Sequence, residues 1–381
     1  MKIIKTNRDI FLEFQTDSNN IIRFSLPNNK KYIMSDAVCQ NTMQLYGNNA
    51  LNIEKDFKEL NNRYTGQDLT NKSLISIREG GAGDLLFKTP VFRYLKNTYT
   101  NCKIGLSCSP VYHGLFTHNP DIDNVYIHVL PLEAFQKYDY FSTFEGIIEF
   151  NKEAEYKNAY DLYAERFGIN PTILDKTPVL KLSELTLDYW GCVLRNDLTR
   201  SKKIGFQWRA SSPVRTLPFI LSATIIHKLV DLGYSVFILD AIWRKNDVAK
   251  FISDNKLNVV DTSKFSDNFE RMAGIIALMK MFVGPDSSGT HIAAALGKPV
   301  VGLYGPFRSE LRLKYYKHAV GIDCMAQKCN NGRGCYNHSY QLCDFAKELG
   351  EKAAPCWKLL DVDRTVKAID DLYKEVYEEE K

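Results

Sequence analysis

The sequence predicts an α/β protein made of two units of the same type, each with a parallel sheet between layers of helices. Short apolar, β-branched runs alternate with helical stretches along most of the chain, and the alternation starts again after a polar stretch at 195–202. A chain of 381 residues also exceeds what one ordinary core holds. Because ligands bind outside the carboxyl ends of parallel strands, two such units facing each other would share one cleft.

The first unit follows a separate segment, residues 1–70. In that segment, 11–15 and 21–26 are predicted strands around a polar turn, and 50–62 is predicted to be helical. We assign no function to it. The first α/β unit, residues 71–198, starts with an apolar run at 74–78, a glycine-rich turn and a helix from Asp84 to about Tyr99. Further strands are predicted at 103–107 and 124–129.

The second unit, residues 199–360, repeats the pattern. Its predicted strands lie at 203–208, 235–239, 257–260, 281–284 and 299–303, with helices at 217–232, 268–279 and 287–296. The closing helical pattern, within residues 361–381, is predicted to cross back to the first unit.

Composition narrows the class of protein. Hydrophobic residues make up 45% and charged residues 25%, which are values of globular domains, and the net charge of +4 is far below that of a nucleic-acid coat protein. No apolar run reaches the roughly 18 residues that span a bilayer. The first nine residues lack a secretory apolar core. We therefore expect a soluble, cytoplasmic protein.

The clearest chemical motif is the stretch 284–306, which reads as strand, tight turn, small-residue helix and strand. The first N–H groups of a helix have no internal partners and carry partial positive charge, so this turn is a candidate anion site. Small residues at Ser287, Ser288 and Gly289 would let a phosphate approach the backbone. The alternative is that Asp286 and Ser287 only cap the helix.

Two further loops carry candidate residues. Asp84 directly follows the glycine-rich turn, where it could cap the helix that begins there. A dinucleotide site is not expected there, because the next strand does not end in an acidic residue. In the loop 209–218, Arg215 has a planar group that suits a phosphate, although an arginine is more commonly a solvated surface residue. Asp240, at a strand end, is a candidate for nucleoside contact, although an aspartate there is more often a turn residue. Arg209 is a second candidate.

Taken together, these motifs resemble the ADP-heptose:lipopolysaccharide heptosyltransferase family over about residues 72–375. The match includes Asp286, His291, Gly297 and Pro299, with a closing Gly305-Pro306. A Gly-Asp-x-Leu motif with a following Thr-Pro is present at 83–90, and the match continues at 119–125. One departure is that the glycine lies three residues after the aspartate, whereas many members have it two after.

The resemblance implies two Rossmann-like domains facing across a cleft, the architecture called GT-B, here with an N-terminal extension. It implies an inverting sugar transfer from a nucleoside diphosphate sugar, a co-substrate. We expect no metal or other cofactor in the chemistry. The implied catalytic residues are Asp84, as base, and Asp286. The implied acceptor loop contains Gly81 and Gly83, and the implied donor phosphate-binding set is Arg215, Ser287, Ser288, Gly289, Thr290 and His291.

The acceptor and the wider class stay open. By family default the acceptor is the lipopolysaccharide core or another glycan, in the cytoplasm or at the inner membrane. A viral enzyme acting in the host cytoplasm on hydroxymethylated DNA bases is the alternative, because a basic run, Arg308, Arg312, Lys314 and Lys317, could bind phosphates. A sugar-nucleotide epimerase or a catalytically dead nucleotide-sugar-binding protein are alternatives of another class.

Five of the nine cysteines fall in one short stretch: Cys324, Cys329, Cys335, Cys343 and Cys356. Packed free thiols are the first interpretation. A structural zinc on four thiolates is the second, although the stretch lacks a Cys-x-x-Cys pair. Disulfides are disfavoured in a reducing compartment.

Overall fold

The structure is a computed structural model that describes residues 1–15, 21–78, 80–144, 146–324 and 342–378. It confirms the predicted α/β fold, with two parallel sheets in separate units and an N-terminal extension. The central strands of both sheets are mainly buried, as expected for parallel sheets covered on both faces, whereas the strands at the sheet edges are only partly buried.

The N-terminal extension is a small antiparallel sheet with a hairpin and one helix. The sheet order is β5-β1-β4-β9, from β1 (Lys2–Thr6), β4 (Lys31–Met34), β5 (Leu51–Asp56) and β9 (Leu130–Pro131). The hairpin pairs β2 (Ile10–Gln15) with β3 (Ile21–Leu26), as predicted, and the helix is α1 (Asp36–Tyr46). The predicted helix at 50–62 is wrong: β5 pairs with β1 over this stretch, and that pairing outweighs the local helical pattern.

The first Rossmann-like unit has a four-stranded parallel sheet in the order β10-β6-β7-β8. Its strands are β6 (Ser73–Ile77), β7 (Lys103–Cys108), β8 (Asn124–Ile127) and β10 (Tyr140–Thr143). Its helices are α2 (Ala82–Leu86), α3 (Thr89–Thr98), α4 (His113–Phe116), α5 (Leu132–Phe135) and α6 (Ala159–Arg166). The short α2 follows β6 directly, which places Asp84 near the carboxyl end of that central strand.

The second unit has a six-stranded parallel sheet in the order β13-β12-β11-β14-β15-β16. Its strands are β11 (Lys203–Phe206), β12 (Ser235–Ile238), β13 (Val260–Asp261), β14 (Met281–Pro285), β15 (Val300–Tyr304) and β16 (Ala319–Asp323). Its helices are α8 (Phe219–Asp231), α9 (Lys245–Asp254), α10 (Phe269–Ala277), α11 (Ser288–Ala295), α12 (Glu310–Leu313) and α13 (Asp344–Glu348). The strand order reverses between β11 and β14, which is where such sheets bind ligands.

The two units meet along several contacts beside the cleft. α7 (Glu184–Val193) packs on α10: Trp190 is buried there, and the Thr186 hydroxyl donates to Glu270 at 2.9 Å. On the other side, the Asn158 amide donates to the carbonyl of Glu310 at 2.7 Å. The units are therefore joined by packed and hydrogen-bonded surfaces.

The last helix, α14 (Val362–Tyr377), packs on the second unit, which differs from the predicted crossing to the first. Its buried face joins the second unit's core against α8 and β16. The Tyr234 hydroxyl donates to Asp370 at 2.7 Å, and the Tyr377 hydroxyl donates to the carbonyl of Lys280 at 2.7 Å. A strongly amphipathic sequence predicts a packed helix, but the surface it covers depends on tertiary structure.

Candidate active site

A cleft of about 850 Å³ lies between the two units. The first unit contributes the glycine-rich turn, Asp84, and a loop at 146–150. The second contributes the loop after β11, the loop after β12, the first turn of α11, and Arg312. The cleft thus collects loops that follow strands of both sheets, as the sequence predicts for units facing each other.

Asp84 is held in place from the first-unit side. Its carboxylate accepts a hydrogen bond from the Gly81 N–H at 3.0 Å and lies 3.1 Å from Arg78 Nη2. Burial opposes ionisation, but Arg78 and the Gly81 N–H more than offset it, so the pKa of Asp84 is lowered. The carboxylate is ionised near neutral pH and lines the cleft. The predicted roles of cap and proton acceptor are compatible in this position.

Arg78 and Glu149 were not identified from the sequence. Arg78 is 1% exposed, donates to the carbonyl of Phe144, and has Nη2 2.7 Å from Glu149 Oε1. One guanidinium nitrogen therefore lies between two carboxylates that both line the cleft. An arginine directly after an apolar strand was the available signal, because the end of such a strand is where ligands bind.

Asp286 lies at the end of β14 with three cationic or hydrogen-bonding neighbours. Arg215 Nη1 is 2.7 Å from its carboxylate, His291 Nε2 is 3.1 Å away, and Arg312 Nε is 3.7 Å away. Burial opposes ionisation, but the His291 hydrogen bond and the arginines hold the pKa of Asp286 well below its usual range. Arg215 Nη1 also donates to the carbonyl of Asp286 at 2.8 Å, so the aspartate fixes the arginine at the cleft.

The first turn of α11 has two faces. Ser287 and Ser288 line the cleft, and the Ser287 hydroxyl donates to Gln207 at 2.9 Å instead of capping the helix. Gly289 faces the protein: a Cβ there would lie 2.5 Å from Gln207 Oε1. The Thr290 hydroxyl is buried and donates to the carbonyl of Pro285 at 2.6 Å. The missing side chain at Gly289 and the buried side chain of Thr290 therefore serve packing, and an anion at this turn would meet the serines and the backbone.

His291 links Asp286 to the first unit. Its Nδ1 lies 2.6 Å from the Tyr316 hydroxyl, which accepts a hydrogen bond from Tyr160 of the first unit at 3.3 Å. A Cβ on Gly83 would lie 2.7 Å from the His291 ring, so glycine at this position allows α2 to approach α11. Gly83 and His291 thus bring the two halves of the site together.

The predicted nucleoside candidates lie beside each other on the second unit. Asp240 is 5% exposed, and burial raises its pKa despite the Arg209 Nε 3.5 Å away. Arg209 also lies over the Trp208 and Phe219 rings. Trp243, 46% exposed, lines the same part of the cleft. A charged pair next to an accessible aromatic ring suits a polar ligand with a flat, stackable group.

Comparison with known families decides the class of protein. Residues 266–340, which include the β14–α11–β15 segment, match the model of glycosyltransferase family 9 (heptosyltransferase). The chain is a glycosyltransferase. The resemblance predicted from the sequence is thereby confirmed. No curated protein sequence matches the chain.

Solved structures similar to this glycosyltransferase share its fold. A family 9 glycosyl transferase from Veillonella parvula is 16% identical, covers 81% of this chain and 99% of its own, and has a TM-score of 0.64. E. coli ADP-heptose lps heptosyltransferase II is 16% identical, covers 80% of this chain and 99% of its own, and has a TM-score of 0.57. The iron-containing dodecameric glycosyltransferase TibC from enterotoxigenic E. coli is 14% identical, covers 98% of this chain and 92% of its own, and has a TM-score of 0.54.

Three remaining predictions concern metals and membranes. Cys324 and Cys356 are buried in the second unit's core, burial raises the pKa of Cys324 to about 12, and Cys343 is half-buried. Cys329 and Cys335 lie outside the described residues. Within the described ranges, no group of three or more ligand side chains could hold a metal ion.

Also within those ranges, no helix is both long and apolar enough to span a bilayer.

The chain contains two Asp-x-Asp sequences, at 121–123 and 361–363, a pattern that can hold a metal bound to a donor sugar. Neither lines the cleft. Asp123 instead pairs with Lys96 and Lys103 and accepts the Ile104 N–H, and Asp361 caps α14. These aspartates have structural partners at a distance from the candidate site.

Proposed function

We propose that this glycosyltransferase transfers a sugar, with inversion, from a nucleoside diphosphate sugar to the hydroxyl of a glycan acceptor. One observation carries the proposal: an ionised carboxylate, Asp84, lines the same cleft as the first turn of α11 and Arg215 on the opposite unit. Such a cleft can accept a proton on one side and hold a diphosphate on the other. We further propose a cytoplasmic location, as expected from the sequence.

The donor would lie mainly on the second unit. Its diphosphate would contact the α11 N–H groups, Ser287, Ser288 and Arg215, where the helix end and a planar guanidinium favour phosphate oxygens. The nucleoside would reach Arg209 and Asp240, beside Trp243. A structure of TibC in complex with ADP-D-beta-D-heptose, 16% identical and with a TM-score of 0.55, makes an ADP-linked heptose the first donor to test.

The reaction would be a single displacement. The acceptor hydroxyl oxygen bonds to the anomeric carbon while the bond from that carbon to the diphosphate oxygen breaks, which inverts the configuration. Asp84 takes the hydroxyl proton. Asp286 holds Arg215 against the diphosphate, where positive charge stabilises the leaving group. The acceptor would enter from the first unit, over Gly81 and the loop at 146–150.

A glycan acceptor is favoured over DNA because the predicted basic run does not form one surface. Arg312 is buried in the cleft, whereas Arg308, Lys314 and Lys317 are exposed, and Arg308 pairs with Glu310. Three exposed cations, one of them paired with a carboxylate, are too few for a DNA phosphate track. The lipopolysaccharide core remains the first acceptor to test.

The decisive experiment incubates the protein with a panel of nucleotide sugars, with and without glycan acceptors, and measures release of nucleoside diphosphate. We expect acceptor-dependent release with one donor and an inverted anomeric configuration in the product by NMR. Release of an epimerised nucleotide sugar, or tight donor binding with no transfer to any acceptor, would refute the proposal.

The cysteine segment needs a separate measurement. Packed thiols and a structural zinc both stay predictions for it. Metal analysis of the purified protein distinguishes them, because thiols alone predict no stoichiometric metal, whereas a structural site predicts one ion per chain that is removed only with loss of stability.

A further inference from the structure

The loop at 146–150 of the first unit ends in an exposed aromatic ring. Phe150 is 89% exposed, more than any other large apolar side chain among the described residues, and it lines the cleft. A single apolar side chain on an open surface is common and indicates nothing by itself. At the wall of a ligand cleft, however, an open ring is a contact surface for the molecule that binds there.

The ring is held in position by its own loop. Ile147 and Ile148 are buried in the core of the first unit, and the Phe150 N–H donates to the Gly146 carbonyl at 3.0 Å. Gly146 has a φ of +72°, in the region that favours glycine, and a Cβ there would lie 2.5 Å from Phe150 Cδ2. The ring therefore packs on the glycine and stays open to the cleft. Because it is already placed, it loses little freedom when a ligand binds.

Two carboxylates lie on the same wall of the cleft. Asp84 and Glu149 contact one nitrogen of Arg78, at 3.1 and 2.7 Å. Their side chains are 21% and 41% exposed, whereas that of Arg78 is 1% exposed, so a ligand on this wall meets carboxylate oxygens and not the guanidinium. Because both carboxylates contact the same nitrogen, a ligand as small as one sugar ring can reach both.

An aromatic ring beside two carboxylates matches the surfaces of an uncharged pyranose. The C–H groups on one face of a pyranose stack on an aromatic ring, and its hydroxyls donate to carboxylates in strong hydrogen bonds. An acid group on the acceptor sugar would instead face the like charges of Asp84 and Glu149, which lowers affinity. The other arginines that line the cleft belong to the second unit, where the donor diphosphate would lie: Arg209, Arg215, Arg244 and Arg312.

We propose that the loop at 146–150 binds an uncharged pyranose of the acceptor, with its C–H face on Phe150 and one hydroxyl donating to Glu149. This rests on the proposed function and narrows its acceptor class to glycans whose reacting sugar carries no acid group. A second hydroxyl of that sugar attacks the anomeric carbon and gives its proton to Asp84, while the diphosphate leaves with the electron pair of the broken bond. Phe150 and Glu149 thus determine which acceptor binds, and Asp84 acts in the reaction.

The first test measures binding without turnover. Its probes are methyl glycosides of glucose, galactose and mannose, each paired with the glycoside in which the hydroxymethyl group is oxidised to a carboxylate. Saturation-transfer NMR on the full chain, with and without ADP, gives the affinities and the sugar protons that contact the protein. We expect a neutral glycoside to bind through the C–H groups of one ring face, and its carboxylate counterpart to bind about 10-fold more weakly.

Variants of the ring separate stacking from apolar contact. Phe150→Ala should weaken binding of the neutral glycoside by about 10-fold, and Phe150→Leu should do the same because it lacks a flat face. Phe150→Tyr should keep the affinity. The control is Tyr156→Ala, which removes a ring that is 67% exposed but does not line the cleft, and it should bind like the wild type. Since both rings are exposed, all four variants should unfold at the wild-type temperature.

The charge is tested by Glu149→Gln, which should reduce the preference for the neutral glycoside to about 3-fold or less. With an active donor and acceptor pair, Phe150→Ala should raise the KM for the acceptor by about 10-fold and leave donor affinity unchanged.

Three binding results would overturn the inference: equal or tighter binding of the carboxylate glycosides, no binding of any neutral glycoside, or unchanged affinity in folded Phe150→Ala. Transfer to a sugar that carries an acid group would also overturn it, while the proposed function would stand. If the wild type transfers no sugar, the proposed function fails, and the contacts of the neutral glycoside with Phe150 still test the binding site.

Discussion

Replacing Asp84 with asparagine tests the proposed base most directly. The amide has nearly the shape of the carboxylate, and its oxygen can still accept the Gly81 N–H that now lies 3.0 Å from Asp84. It cannot take a proton from an acceptor hydroxyl near neutral pH. We therefore expect turnover to fall by about 100-fold or more, while donor affinity stays close to that of the wild type.

The cost in stability follows from the partners of Arg78. Removing one carboxylate from a buried ion pair costs about 3–5 kcal/mol when the other charge is left alone. Arg78 keeps Glu149 at 2.7 Å, so we expect a smaller loss in the free energy of unfolding, about 1–3 kcal/mol. Asp123→Asn is a matched control, because Asp123, like Asp84, pairs with a cationic side chain (here Lys96) and accepts a backbone N–H, but lies outside the cleft.

The assay measures kcat, donor affinity by calorimetry and the unfolding transition for both variants. We expect Asp84→Asn to lose turnover and Asp123→Asn to lose only stability. Near-normal turnover per folded Asp84→Asn molecule would refute the assignment of the base. The search would then move to Glu149, the second carboxylate on Arg78.

The pH dependence gives an independent check. The pKa of Asp84 is lowered in the folded protein, so its contribution to stability is present above pH 4 or so and is lost as pH falls through the folded pKa. The difference in unfolding free energy between wild type and Asp84→Asn should shrink below that pH. For the same reason, kcat/KM should show no acid limb from Asp84 between pH 5 and 8, and an Asp84-dependent limb there would contradict the lowered pKa.

Three further substitutions test the donor side and the contact between the units. Arg215→Ala should weaken nucleoside diphosphate binding by about 1.5–3 kcal/mol in calorimetry, and unchanged affinity would remove Arg215 from the site. Asp240→Asn should weaken that binding but leave thermal stability equal or higher, because it removes a buried carboxyl group whose pKa is raised by burial. A loss of both nucleotide affinity and thermal stability would contradict this. Gly83→Ala places a Cβ 2.7 Å from the buried His291 ring and should lower the free energy of unfolding by about 1–3 kcal/mol, measured with denaturant. Gly81→Ala should not lower it, because the nearest atom to its Cβ, Asp84 Oδ2, is 3.7 Å away.

The sequence was most informative where function depends on consecutive residues. The run 284–306 predicts a strand, a tight turn and a helix, and the structure has β14, α11 and β15 there. The partners of Asp286 were less predictable, because Arg215 and Arg312 come from other segments of the chain and a contact across space has no periodic signal. The pairing of β5 with β1 and the packing of α14 were missed for the same reason.

Two glycines show how far the sequence alone can predict the role of a single residue. Gly289 and Gly83 both lie in motifs that suggest phosphate or acceptor contact. In the structure both allow close packing, against Gln207 and His291 respectively. The sequence indicated that glycine is needed at these positions, but it did not predict which neighbouring side chain occupies the space of a Cβ.

The strand β9 has a consequence for the order in which the chain acquires its structure during synthesis. It belongs to the first unit in sequence, yet it completes the sheet of the N-terminal extension by pairing with β4, where Ile33 lies opposite Leu130. A ribosome must therefore translate about a hundred residues beyond β4 before that edge finds its native neighbour. Until then the backbone groups of β4 stay open to solvent or to another nascent chain. The sheet of the extension is thus complete only after part of the first unit has been synthesised.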